Sequence, residues 1–275
     1  MARRRGLPSA RLVTLTSDIG AAYAAQMKGR LLSSLPPGRV VDLVHDLPPH
    51  GVGEAAFVLR AMATTFPPGT VHVVVVDPGV GGRRAPIVVE CRDGSRLVGP
   101  DNGVLYPLAE TLGLRAAYRI DRRTLGEGPR VGTTFDGRDV FAPAAALLAA
   151  GTPPRRLGPR VVPHRWSIPR PEKRPGGARG EVVHVDRFGN LITNVPTDWL
   201  PPLAERIGLS CGRARDRRLR VVRSYEAASI GNLGVLGSSF GSVELFVSGG
   251  RADRRLGARV GSTVRFRWND GRRAG

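Results

Sequence analysis

Residues 77–84 read Asp-Pro-Gly-Val-Gly-Gly-Arg-Arg, an acid and a base separated by glycines that let a chain fold back on itself. A carboxylate and a guanidinium brought together in this way can hold and orient a water or a polar substrate group. Three other segments combine acids with turn residues: Thr16-Ser17-Asp18-Ile19-Gly20, Pro100-Asp101-Asn102-Gly103 and Thr134-Phe135-Asp136-Gly137-Arg138-Asp139. Each has a plain structural reading. Asp18 and Asp101 can cap helices or close Asx turns, the glycines can merely permit positive φ, and Arg138 with Asp139 can form a structural ion pair.

Other chemistries lack their residues. The patterns GxGxxG and GxxxxGK[ST] are absent, which argues against a phosphate cradle. The five histidines, His45, His50, His72, His164 and His184, show no HExxH spacing, so no histidine-bound metal is expected. Cys91 and Cys211 stand far apart without a CxxC pair, which argues against a disulfide framework or a zinc site.

The elements that must position the four acidic segments are strands. Leu12 to Thr16 reads as a short apolar strand, followed by a helix with Tyr23, Met27 and Leu31 at four-residue spacing that ends near Pro36-Pro37-Gly38. Val40 to Val44 reads as a strand, and Glu54 to Thr65 as a helix with Ala55, Val58, Leu59 and Met62 on one face. Val71 to Val76 is β-branched and almost continuously apolar, as expected of a strand buried on both faces of a parallel sheet. Ile87 to Glu90 reads as another strand, and Phe141 to Ala150, entered through Pro143, as an alanine-rich helix. Strand–helix alternation of this kind predicts an α/β/α domain with a mostly parallel sheet and helices on both faces. In such sheets ligands bind beyond the carboxyl ends of the strands, where the acidic segments fall.

The pattern changes in a Pro-, Arg- and Gly-rich stretch from about Pro163 to Gly177. Beyond it, Glu181 to Val185, Leu191 to Val195, Leu219 to Tyr225, Ser242 to Val247 and Thr263 to Trp268 read as strands with little helix between them. The expectation is an N-terminal α/β domain over residues 1–165, a linker over 166–178 and a smaller all-β, barrel-like domain over 179–275.

A net charge of +19 raises the question of a nucleic-acid partner. All but Lys28 and Lys173 of the 42 basic residues are arginines, scattered rather than striped with aromatics. Weak salt-sensitive association is expected from that charge, but no specific nucleic-acid site. No apolar run approaches the roughly 20 residues of a membrane span, and Met1 to Pro8 does not read as a secretory signal. The expectation is a cytoplasmic enzyme with no membrane partner.

At the acidic segments the chain resembles a known family. VVDPGVGGRR, PDNGVLYPL, TFDGRDVFAPAAA and VDRFGNLITNV, in that order, are similar to motifs of the S-adenosyl-L-methionine (SAM) hydroxide adenosyltransferases. These are adenosine-forming hydrolases related to SAM-dependent chlorinases and fluorinases, and the resemblance runs from about Leu12 to Phe266. It implies a homotrimer with each site between subunits, SAM as substrate rather than cofactor, and attack of water on ribose C5′ with methionine leaving. A neutral thioether departs from a sulfonium, so no general acid is needed and the protein has only to orient and activate the water.

The resemblance also assigns residues. Asp77 and Arg84 match members of an Asp–Arg–His set that handles the water, Asp18 the carboxylate that grips the ribose hydroxyls, and Asp186 with Asn190 the positions at the methionine end. Asp101 and Asn102 belong to the second substrate-binding motif, and Ser239 to the stretch along the adenine side. The chain departs from the pattern where the family reads TFHGRD: Asp136 replaces the histidine. Ala21, Ala22 and Tyr23 also occupy a stretch that usually carries a second aspartate. Asp136 is therefore read in two ways. It shares a proton with Asp77 and keeps the site basic, or it pairs with Arg84 or Arg138 and draws that arginine from the water. The first reading retains hydrolysis. The second leaves a SAM- or adenosine-binding sensor, and a halide-using enzyme is the remaining alternative.

Overall fold

The structure, a computed structural model, describes residues 11–36, 38–126, 134–203 and 205–268. Two compact units divide at Ser167 and Ile168. The N-terminal unit follows the order β1 (Val13–Ser17), α1 (Gly20–Leu32), β2 (Val40–Val44), α2 (Val52–Ala63), β3 (Val71–Val75), β4 (Pro86–Cys91), β5 (Arg96–Pro100), α3 (Tyr106–Thr111), β6 (Leu114–Arg119), α4 (Ala142–Ala149) and β7 (Arg160–Val161). Its seven strands form one sheet in the order β2-β1-β3-β5-β4-β6-β7. The neighbours β2, β1, β3 and β5 run parallel, whereas β4 and β7 are antiparallel to the strands they pair with.

The buried reading of β3 holds, because every one of its residues is buried. Its alternation splits it between two layers: Val71, Val73 and Val75 share a core with Met27 and Leu31 of α1 and the alanines of α4, and α2 packs on α3 as the other helical pair. Met27 and Leu31 are fully buried, but Tyr23 on the same spacing is 55% exposed and meets Phe135 edge-on at 5.5 Å. The first helix stops at Leu32, before the expected turn, and Pro37 of that turn lies outside the described residues, as does Met1 to Pro8. The strands β5, β6 and β7 and the short α3 carry no clean apolar period and were not expected.

His72 is the one fully enclosed histidine of β3, with Nδ1 2.8 Å from Thr14 Oγ1. Burial holds its imidazole down at about 4, against a smaller opposing pull from Asp93. An unfolded histidine titrates near 6.5, so between those values the unfolded chain binds more protons. Its contribution to stability is thus complete above about pH 6.5 and lost as pH falls through about 4, a loss on the order of 3 kcal/mol. Thermal unfolding of wild type and His72→Gln from pH 7.5 to 4 checks this. The variant should lose stability less steeply, and parallel curves would assign the acid sensitivity elsewhere.

The C-terminal unit contains β8 (Glu172–Arg174), β9 (Gly177–Val185), β10 (Leu191–Pro196), β11 (Arg206–Cys211), β12 (Ala214–Arg220), β13 (Leu233–Gly237), β14 (Ser242–Val247), a single-turn helix α5 (Ala252–Leu256) and β15 (Thr263–Arg267). All pairings between these strands are antiparallel, in the order β12-β11-β15-β9-β10-β14-β13 with β8 added on β9. A bridge between Val221 and Val235 draws the two ends together into a nearly closed barrel. Part of the stretch read as linker is strand, since β8 and the start of β9 fall inside it. The strand read over Leu219 to Tyr225 is displaced: β12 ends at Arg220, and Tyr225 opens a 3₁₀ turn instead.

Candidate active site

Three adjacent parallel strands deliver three of the acidic segments to one edge of the sheet. Ser17 of β1 pairs with Val75 of β3, and Val73 of β3 with Val98 of β5. Asp18, Asp77 and Asp101-Asn102 therefore leave the sheet side by side at its carboxyl edge, the expected ligand-binding edge.

After β3 the chain reverses through two turns, with Val80 N donating to Asp77 O at 3.2 Å and Gly82 N to Gly79 O at 3.0 Å. Gly81 takes φ +76°, which a side chain would strain. The reversal returns Arg84 onto Asp77. Nε donates to Asp77 Oδ1 at 2.9 Å and Nη2 to Oδ2, a bidentate pair. The Arg84 guanidinium also lies 5.6 Å from the ring centre of Phe141.

Asp136 joins the same guanidinium. Its Oδ2 accepts from Arg84 Nη2 at 2.5 Å, and its Oδ1 from Arg122 Nη2 at 2.7 Å. The carboxylate is only 2% exposed. It stands at the head of a single π-helical turn, Gly137–Phe141, that leads into α4. The turn packs so closely on the sheet that a Cβ on Gly137 would lie 2.8 Å from Phe135, 2.9 Å from Met27 Sδ and 3.3 Å from Val75. Burial alone would depress the Arg84 pKa, but its bonds and attraction to Asp77 and Asp136 raise it instead, so this cation is permanent. Among the described residues its Nη1 meets no hydrogen-bond acceptor, and that edge can receive a ligand.

The geometry bears on both readings of Asp136. Asp136 Oδ2 and Asp77 Oδ2 both bond Arg84 Nη2, so the two acids share this cation. Asp136 pairs with Arg84 as the second reading held, yet Arg84 is not withdrawn, since it keeps both bonds to Asp77. Arg138 makes the expected structural pair with Asp139, at 2.7 and 2.9 Å. Arg122 was not foreseen, because nothing in its own surroundings distinguishes it from the other arginines.

The remaining N-terminal candidates have structural partners too. Asp18 Oδ2 accepts from His50 N at 2.8 Å, while Oδ1 accepts from no described residue. Asp101 Oδ1 accepts from His164 N at 2.7 Å. Asn102 donates to Val76 O at 2.9 Å and accepts from Val104 N at 3.1 Å, an Asx turn that closes the end of β5. Ser17 Oγ, His45 Nδ1, His45 Nε2 and Asp42 form a hydroxyl–imidazole–carboxylate chain with links of 2.8 and 3.1 Å. Ser17 is completely enclosed, so this chain ties β1 to β2 and is no nucleophile.

In the C-terminal unit, Asp186 and Asn190 shape the turn between β9 and β10. Asp186 Oδ1 accepts from Phe188 N and Asn190 N at 2.9 Å each, and Oδ2 from Asn190 Nδ2 at 3.0 Å. Both residues line a cleft of about 620 Å³ together with Phe188, Tyr225 and Arg251. Phe188 is 65% exposed and Tyr225 49%, an unusual presentation of aromatic surface. Tyr225 donates to Glu244 Oε1 at 2.8 Å, and burial raises the pKa of both groups. These two aromatics were missed because 37 positions separate them and only the barrel joins them. Ser239 is exposed in the turn between β13 and β14 and does not line the cleft. Among the described residues no cluster of three or more His, Cys, Asp or Glu is arranged to hold a metal, and Cys91 and Cys211 are buried free thiols.

Comparison with known proteins agrees with this architecture. The profile of the SAM hydroxide adenosyltransferase N-terminal domain matches residues 13–158, and that of the C-terminal domain residues 180–265. The (R)-S-adenosyl-L-methionine hydrolase of Salinispora tropica is 39% identical over 259 residues, covering 92% of this chain and 96% of that protein. A fluorinase from a species of Actinoplanes is 28% identical over 214 residues, covering 67% of this chain and 71% of that protein. The crystal structure of an uncharacterized conserved protein from Thermotoga maritima superposes with a TM-score of 0.86 at 32% identity, covering 93% of this chain and 99% of that one. With both domain profiles matched in order and a full-length relative of this identity, the chain belongs to the SAM hydroxide adenosyltransferase family.

Proposed function

We propose that this protein hydrolyses SAM to adenosine and L-methionine, with water attacking ribose C5′. The observation that carries the proposal is the bidentate Asp77–Arg84 pair at the carboxyl end of β3, in a chain of this family, with the Nη1 edge of Arg84 open. Asp77 accepts a proton from the attacking water and Arg84 orients both, so the pair supplies positioning and a base without a cofactor. Asp18 offers Oδ1 to the ribose hydroxyls beside it, a carboxylate oxygen having lone pairs for both. Asp136 acts on the guanidinium, which it bonds through Oδ2 while Arg122 holds Oδ1.

The cleft with Phe188, Tyr225, Asp186 and Asn190 on its walls supplies flat aromatic surface and polar groups for the remainder of the substrate. Ser239, Asp101 and Asn102 complete the substrate side of the proposal. A homotrimer with the site between subunits, and a cytoplasmic location, follow from the same reading. No helix among the described residues is long and apolar enough to cross a membrane.

Incubation of the purified protein with SAM is expected to release adenosine and methionine in equal amounts, read by chromatography. Product no faster than uncatalysed decay overturns the proposal. A second reading, a sensor that binds without turnover, is favoured by one observation: Arg84 is shared with Asp136. Tight adenosine binding by calorimetry with no product would establish it. Adding chloride to the same assay addresses halide use, which would appear as 5′-chloro-5′-deoxyadenosine released with methionine.

A further inference from the structure

Asp136 poses an electrostatic problem that the fold has to answer. It is enclosed, it cannot recede because Gly137 behind it is pressed against Met27, Phe135 and Val75, and it bonds a guanidinium that Asp77 also needs. Two carboxylates on one cation leave a site of net negative charge in a region where charge is poorly screened. A second cation answers it. Arg122 comes from the 3₁₀ turn Arg122–Leu125, which follows β6 and is capped by Asp121 accepting from Arg123 N at 3.0 Å. Its guanidinium, 44% exposed, reaches in from the solvent side and takes the Asp136 oxygen that Arg84 leaves. The four groups then form one line, Asp77–Arg84–Asp136–Arg122, with two formal charges of each sign.

We propose that Arg122 is a positioning residue of the hydrolytic site. It touches neither Asp77 nor Arg84 in the bonds that form the line. By holding Asp136 Oδ1 it limits the pull of Asp136 on Arg84, so that Arg84 remains bidentate on Asp77 and keeps Nη1 directed to the water. This role rests on the hydrolase reading above. It also accounts for how this chain carries a buried acid next to its catalytic arginine: the acid arrives with its own counter-ion, from a segment of the chain 14 residues earlier.

A double-mutant cycle tests the role, with Arg122→Gln and Asp136→Asn made singly and together and SAM turnover measured. Arg122→Gln is expected to lower kcat by about tenfold and change KM by less than about twofold, since the arginine orients groups and does not hold substrate. Arg122→Lys should recover most of the loss, because a cation of similar reach restores the charge. In the Asp136→Asn background, where there is no charge to neutralise, Arg122→Gln should change kcat by less than about twofold. Equal losses in both backgrounds, an effect confined to KM, or no effect at all would each overturn the proposal. If the wild-type protein itself releases no product, the hydrolase reading has failed independently of Arg122. The same four proteins then decide the pairing by thermal unfolding: Arg122→Gln should lower Tm in the wild-type background and not in Asp136→Asn, and equal shifts overturn it.

Discussion

Asp77→Asn is expected to lower kcat by about 10²–10⁴-fold while KM stays within about threefold. The substitution keeps the size of the side chain and a single acceptor oxygen, so the turn over residues 77–82 and the contact with Arg84 can survive. What it removes is the group able to take a proton from water, and with it the bidentate clamp on the guanidinium. The reaction needs no acid for its leaving group, so the loss falls on activation and orientation of the nucleophile alone. Initial rates of adenosine release across a range of SAM concentrations measure both parameters. A kcat within threefold of wild type would remove Asp77 from the chemistry and with it the assignment of the site to this strand end.

Arg84→Gln has the second large effect, and it falls on stability as well as rate. With the guanidinium gone, the side chains of Asp77 and Asp136, 5% and 2% exposed, face each other across the space it filled. Breaking a buried ion pair by removing one partner costs about 3–5 kcal/mol, because the remaining charge keeps its desolvation penalty and loses its compensation. In a chain of this size that corresponds to a fall in Tm of roughly 10 °C. Asp136 keeps Arg122, so the penalty concentrates on Asp77, and Asp77→Asn added to Arg84→Gln should restore part of the lost Tm. Calorimetric scans of the three proteins check this. A shift under about 2 °C for Arg84→Gln would mean that the carboxylates are better solvated than their burial implies.

The cost explains an asymmetry in the site. Exposed pairs such as Arg123–Asp121 and Arg174–Glu172 bring little, since water screens them. The line from Asp77 to Arg122 differs because its two carboxylates are enclosed, and each oxygen left without a donor would carry a penalty. Three arginines of β12, Arg217, Arg218 and Arg220, line one surface cleft together with Arg206 of β11.

Much of the fold was legible in the residues because burial leaves a direct mark on composition. A strand enclosed on both faces is largely apolar, and Val71–Val75 could be read for that reason despite His72. The loss of helical periodicity after about residue 163 marked the all-β region just as directly. What escaped were elements whose residues answer to close neighbours instead of a general apolar layer. In β5, Gly99 breaks the pattern, yet a Cβ there would come within 2.6 Å of Val74 O, so the glycine is what lets β5 lie against β3. The reversal of β4 between β5 and β6 likewise leaves no trace in its own residues, since both strand directions alternate side chains alike.

For the site, the sequence by itself determined that an acid and a base follow a buried strand, that glycines between them permit a reversal, and that Asp18 follows the first strand. Those are local facts, set by spacing and backbone freedom. That Asp101 and Asn102 follow a strand of the same sheet came from the structure. Only the tertiary structure decided how the charges are distributed. Asp136 shares a cation with Asp77, since both bond Arg84 Nη2. Arg122 entered the line, and Phe188 and Tyr225 the cleft, through chain segments brought together by folding. The physical reason is one of range: backbone preferences act over a few residues, whereas the energy of an enclosed charge depends on every group within several ångströms, whatever its place in the chain.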